Sequence, residues 1–283
     1  MISDLIPKSK SEIFQYLFQT IDLMKSNWLP LIRKALLFVL ILTFSCTVFS
    51  QESDSTKRVT HFGATVTITN KGISTIPNLT LGKPAALFAM SAGRKVSFEP
   101  EFRFALEGKP WSFIFWWRYQ LYKSDKFITR AGINPSVYFK TTTITTDGVP
   151  SEKIISQRSL TGDLSPTFLP GKNVSIGLYY MYIHGFEEDA VRNTHFLAIR
   201  PYISNIKLTK QFFMRFYPQA YYLRTDANEG FYVSSTLILA KRNLPVSFSS
   251  MITTPINTNI PAGGSTIWNV SLVYTFNKDY VEK

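Results

Sequence analysis

Cysteine is nearly absent from this chain of 283 residues, which has only Cys46. One thiol supports neither a disulfide framework nor a thiolate metal site. Histidine is scarce as well: the three are His61, His184 and His195. No His-x-x-x-His spacing, glycine-rich phosphate loop or His-x-Ser pairing occurs, so common metal, nucleotide and deacylase signatures are missing. Acidic residues, 19 against 31 Lys and Arg, leave a formal net charge of +12. That excess is spread along the chain without a basic stripe, so no nucleic-acid partner is expected. Long apolar runs are lacking too. The longest, LLFVLILTFSCTVF at residues 36–49, falls short of the about twenty residues that a membrane-spanning helix needs.

Aromatic residues are abundant, at 15% of the chain. The stretch WSFIFWWRYQLY (111–122) shows how they are arranged. Its odd positions, Trp111, Phe113, Phe115, Trp117, Tyr119 and Leu121, are all apolar or aromatic. Its even positions include Ser112, Arg118 and Gln120. A helix would scatter Arg118 and Gln120 around an apolar cylinder, whereas a strand sends the two sets to opposite faces. The preceding segment repeats the pattern. Val96, Phe98, Pro100, Phe102, Phe104 and Leu106 oppose Ser97, Glu99, Glu101, Arg103 and Ala105. Near the end of the chain, Trp268, Val270, Leu272, Tyr274 and Phe276 form one more apolar row.

Such segments of about ten to fifteen residues, separated by turn residues, predict an all-β chain: an antiparallel transmembrane β-barrel of about twelve strands. The expected strands are 60–69, 73–90, 95–107, 111–122, 127–142, 153–169, 173–185, 194–204, 211–224, 230–240, 244–254 and 266–277. Connections alternate between short turns and longer loops. The longer ones are expected at 143–152, 186–193 and 254–265, and tight ones at 70–72 and 107–110. A soluble β-sandwich or small barrel is the rival. It fails on quantity, because nearly every strand carries a full apolar face of large side chains.

The apolar run at 36–49, preceded by Arg33 and Lys34, matches a signal-peptide core, with cleavage expected between Ser50 and Gln51. Residues 1–50 then form a targeting segment, with Met24 the expected true start, and 51–283 the barrel. A single membrane anchor and lipidation at Cys46 are the alternatives. Thr43 departs from the Leu that a lipoprotein signal would place there.

This signal and the block FEPEFRFALEGKPWSFIFWWRY (98–119) together resemble the small outer-membrane β-barrel proteins of Bacteroidetes. The resemblance implies location and fold, and it brings no activity.

For the barrel interior, alternation nominates Glu99, Glu101, Arg103, Arg118, Arg130, Lys140, Asp163, Arg200 and Arg215, six basic groups against three acidic. Trp116, Tyr138, Tyr179, Tyr217 and Tyr221 are the accompanying aromatics. Surplus arginine in a lumen favours anions, so the expected function is a passive channel or a barrel binding small anionic solutes. Membrane lipid and lipopolysaccharide are its expected surroundings, and no cofactor or metal is expected. Two alternatives remain. One is a lipid-modifying enzyme using His184 and His195 with Glu187 and Glu188, which a hairpin would gather. The other is a structural or adhesive barrel acting through its loops.

Overall fold

The computed structural model describes residues 59–146 and 149–281. The expected targeting segment, with Met24, Cys46 and the cleavage position, lies outside the described residues. The twelve strands are β1 (Val59–Thr69), β2 (Ala85–Gly93), β3 (Val96–Ala105), β4 (Pro110–Lys123), β5 (Phe127–Thr146) and β6 (Val149–Gly171), followed by β7 (Val174–Gly185), β8 (Asn193–Lys207), β9 (Phe212–Thr225), β10 (Asn228–Lys241), β11 (Val246–Thr258) and β12 (Ile267–Val281). Each pairs antiparallel with its neighbours in sequence, and β1 pairs with β12, closing the barrel. Closure leaves no sheet edge, the condition for strands to cross lipid. Among the described residues, no helix is long and apolar enough to cross a membrane.

Alternation decides the facing. Cross-strand partners share a face: Phe98 lies opposite Trp117 and Phe102 opposite Phe113 on the outside, while Glu99 lies opposite Trp116 on the inside. Outward apolar side chains remain open to the surroundings on every wall; Phe248 is 59% and Trp268 56% exposed. A continuous exposed apolar belt of this kind is stable only against lipid.

The two ends differ. The turn end holds the strand termini Val59 and Val281 and the short connections 94–95, 124–126, 172–173, 208–211 and 242–245. The loop end holds 70–84, 106–109, 186–192, 226–227 and 259–266, and the paired strand ends Thr146 and Val149.

Three expectations need correction. First, β2 starts at Ala85, not at residue 73, so the tight connection at 70–72 is really a fifteen-residue loop, 70–84, with a 3₁₀ turn at Pro77–Leu79. Pro77 and Pro84 cannot donate to a ladder, and Gly82 sits at φ 76, so this stretch cannot pair as a strand. Second, the expected loop at 143–152 is the tip of a long hairpin, with Thr143 paired to Glu152 and Thr146 to Val149. The β-branched run from Thr141 to Thr146 favours extended backbone. Third, Trp111 does not join the lipid-facing row. The β3–β4 register shifts there, with Arg103 opposite Ser112 and Phe104 opposite Pro110. The extra residue forms a bulge that turns Trp111 inward, where it is 4% exposed.

Candidate functional site: the barrel interior and its loop

Loop 70–84 folds back into the loop end of the barrel. Its neck is closed by Gly72 N–H donating to the Lys83 carbonyl (2.7 Å) and by Leu81 and Gly82 donating to the Gly72 carbonyl. Backbone of the loop is then tied to the wall. Trp111 Nε1 donates to the Leu79 carbonyl (2.9 Å), Tyr221 Oη to the Thr75 carbonyl (3.1 Å), and Asn269 Nδ2 to the Lys71 carbonyl (3.0 Å). Ile76, 5% exposed, joins an apolar cluster with Tyr179, Ile183, Phe196, Tyr221, Leu223, Tyr232 and, from loop 259–266, Ile260. Phe196 stacks on Tyr221 at 4.9 Å, and Tyr221 on Tyr232 at 5.0 Å. Burying Ile76 contributes roughly 1.5–3 kcal/mol to this closed arrangement. Beside the loop, a cavity of about 500 Å³ opens among Leu79, Trp111, Tyr138, Lys140 and Gln157.

A charged layer lies toward the turn end. Arg118 on β4 donates from Nε to Glu99 (3.0 Å) and from Nη1 to Asp163 on β6. The strand between them, β5, places Gly132 opposite both Arg118 and Asp163. A Cβ there would lie 2.7 Å from Asp163 Oδ1 and 3.2 Å from Arg118 Cγ. Glycine is therefore what lets the pair close across an intervening strand. Tyr179 Oη also donates to Asp163 (2.9 Å), and the Arg200 guanidinium lies 3.7 Å from the Tyr179 ring centroid. Arg103 donates to Glu101 (2.7 Å) and sits 5.0 Å from the Trp111 ring.

The remaining wall is built of small polar side chains. Near the loop they are buried: Thr69, Ser234, Thr253, Asn269 and Ser271. Toward the turn end, inward-facing Thr65, Thr67, Thr236, Ser249 and Thr275 are only half-buried. These side chains are thus partly accessible toward the turn end, while those next to loop 70–84 are covered.

The nominated residues separate into groups. Glu99, Glu101, Arg103, Arg118, Asp163 and Arg200 face inward, as do Trp116, Tyr138, Tyr179, Tyr217 and Tyr221. These six inward charges balance, three acidic against three basic: Glu99, Arg118, Asp163 and Arg200 in the layer toward the turn end, and Glu101 with Arg103 nearer the loop. The basic surplus has moved to the mouths. Arg130 and Lys140 are exposed near opposite ends of β5, and Arg215 is half-buried close to the turn end. All nine nominated charges keep the inward parity, and the surplus of three basic groups lies toward the ends of the barrel.

His184 and His195 are not gathered into a reactive site. Both side chains lie on the outward face, opposite Asn193 and Tyr182. His195 Nδ1 meets Tyr180 Oη at 2.9 Å and its ring lies 4.9 Å from Tyr182, while His184 Nδ1 contacts Asn193 Oδ1 at 3.3 Å. Glu187 accepts from Arg158 Nε at 2.7 Å, and Glu188 is exposed. Neither histidine is hydrogen bonded to a carboxylate among the described residues. No cluster of three His, Cys, Asp or Glu suited to a metal occurs among the described residues.

Neither a family model nor a curated protein sequence matches the chain significantly. Among solved structures the similarities are low. An outer-membrane channel from Pseudomonas putida F1 is 8% identical, over 81% of this chain and 100% of that one, with a TM-score of 0.45. The KdgM porin in complex with disordered oligogalacturonate is 11% identical (76% and 99% covered, TM-score 0.43). LpxR from Salmonella typhimurium is 10% identical (76% and 99% covered, TM-score 0.44). Function has to be argued from the interior.

Proposed function

We propose that the chain is an outer-membrane barrel of the Bacteroidetes type whose interior is a passive route for small solutes, anionic ones favoured. Loop 70–84 closes it at the outer, lipopolysaccharide-facing end. The observation that carries this reading is the half-buried wall of Thr and Ser running from the turn end up to the loop. A barrel serving only as a scaffold would fill that space, as smaller barrels do. Solutes would pass between the small polar wall and the charged layer, once the loop shifts.

Planar-bilayer recording tests the reading. Wild-type protein should show small, infrequent conductance steps, and deletion of residues 75–80 should make them larger and persistent. A refolded barrel with no conductance in either form overturns it.

A further inference from the structure

We infer that the turn-end mouth between β8–β9 and β10–β11 is a binding site for a multivalent oxyanion, such as the phosphate groups of a small soluble molecule. The β8–β9 register shifts between Ile203 and Ile206, beside Asn205 at φ 53. That irregularity turns Lys207 inward, opposite Phe213. Phe213 and Arg215 share the inward face of β9. From the neighbouring hairpin, Arg242 is fixed by its Nη2 donating to Asn205 Oδ1 (3.0 Å) and its backbone N–H to the Gln211 carbonyl (2.8 Å). The guanidinium groups of Arg215 and Arg242 each lie 5.4 Å from the Phe213 ring centroid. One ring thus orients two cations that would otherwise repel.

Neither guanidinium, nor Lys207 or Lys210, has a carboxylate partner among the described residues. Among the described residues, the acidic groups at this end are Asp125, in the β4–β5 turn, and Asp279, which is paired with His61 at 2.8 Å. In the charged layer deeper inside, acids and bases balance. At the mouth the field is not cancelled, and clustered guanidinium and ammonium groups are suited to oxyanions. Lys207, Lys210 and Arg242 line a niche of about 470 Å³, room for a small phosphorylated molecule. Within the channel reading, on which its role but not its occupancy rests, this site captures anions before they reach the narrow part.

The test uses inorganic pyrophosphate as the probe. Titrated into the barrel refolded in neutral detergent and followed by calorimetry, it should bind saturably and more weakly as salt rises. Arg215→Gln with Arg242→Gln should weaken binding by about tenfold or more, while Lys153→Gln, at the loop end, should leave it unchanged. Retained heat-modifiable migration of the double variant shows that it has folded. In bilayers, pyrophosphate should block current from the turn-end side alone. Binding without any current would sink the channel reading and keep the site. Absence of saturable binding to a folded barrel, or equal affinity in the double variant, overturns the site. Displacement of pyrophosphate by added phosphatidylglycerol also overturns it, by assigning the niche to lipid headgroups.

Discussion

Tyr221 on β9 donates its hydroxyl to the carbonyl of Thr75, joining residues 146 positions apart in the chain. Its ring is held between Phe196 and Tyr232, so the donor is fixed and the loop is what must move. A hydrogen bond of this kind contributes about 0.5–1.5 kcal/mol. Tyr221→Phe keeps the ring stack and removes only this tie. Its open probability in bilayer recordings should rise by roughly two- to tenfold. An unchanged gating equilibrium would mean that the loop is held by the apolar cluster alone.

Gly132 offers a matched pair of substitutions. Alanine there drives a methyl into Asp163 and Arg118, whereas Gly162, on the outward face of β6, has nothing within 4 Å of an added Cβ. Gly132→Ala should destabilise the barrel by about 1–3 kcal/mol, the usual cost of overpacking. Gly162→Ala should be neutral. Urea unfolding in neutral vesicles distinguishes the two, and equal stabilities would remove Gly132 from its assigned role.

Arg118 is not the tolerant lumen position that alternation alone suggests. Its partner Asp163 has a fully buried side chain, and Arg118 itself is 18% exposed. Arg118→Gln should cost about 3–5 kcal/mol, because the buried Asp163 carboxylate is left without its cation. Asp163→Asn should cost less, because Arg118 keeps Glu99. The double variant should recover part of that loss. For comparison, Phe115→Arg puts a charge on the lipid face and should cost about 2–4 kcal/mol. If Arg118→Gln unfolds at wild-type denaturant concentration, the ion pair contributes nothing.

Acidity should act on loop 186–192. Hydrogen bonding from the Arg158 side chain, with help from its backbone N–H, holds Glu187 below the ordinary glutamate value. A depressed carboxyl contributes order that is present above the ordinary value and lost as pH falls through the lowered one. Hydrogen exchange at the Phe186 amide, which donates to the Arg158 carbonyl at 3.1 Å, should therefore speed up in acid. Glu187→Gln should remove that pH dependence.

The barrel could be read from the sequence because its main device is local. A two-residue period, repeated twelve times, separates lipid from interior without knowledge of any partner strand. The loop's inward fold was not legible, since Ile76 reads as one apolar residue among prolines and glycines and its cluster is drawn from five distant strands or loops. Trp111 misled for a similar reason: a bulge is a property of two strands, and the alternation of β4 alone continues through it. Glu101 with Arg103 was within reach of neighbour reasoning. Arg118 with Asp163 was not, because they belong to strands that do not touch. His184 and His195 fell on the outer face by the same parity that placed Tyr180 and Tyr182 there, although the intervening loop suggested convergence.

Gly132 also marks the alignment of the strands. A slip of one residue between β5 and β6 would invert every side chain, and lipid would reject it. A slip of two keeps all faces correct, so hydrophobicity cannot detect it. Such a slip would set Arg130 or Asn134 opposite Asp163 in place of Gly132, filling the gap through which Arg118 reaches its acid. The missing side chain thus favours one of several registers that the bilayer alone would accept.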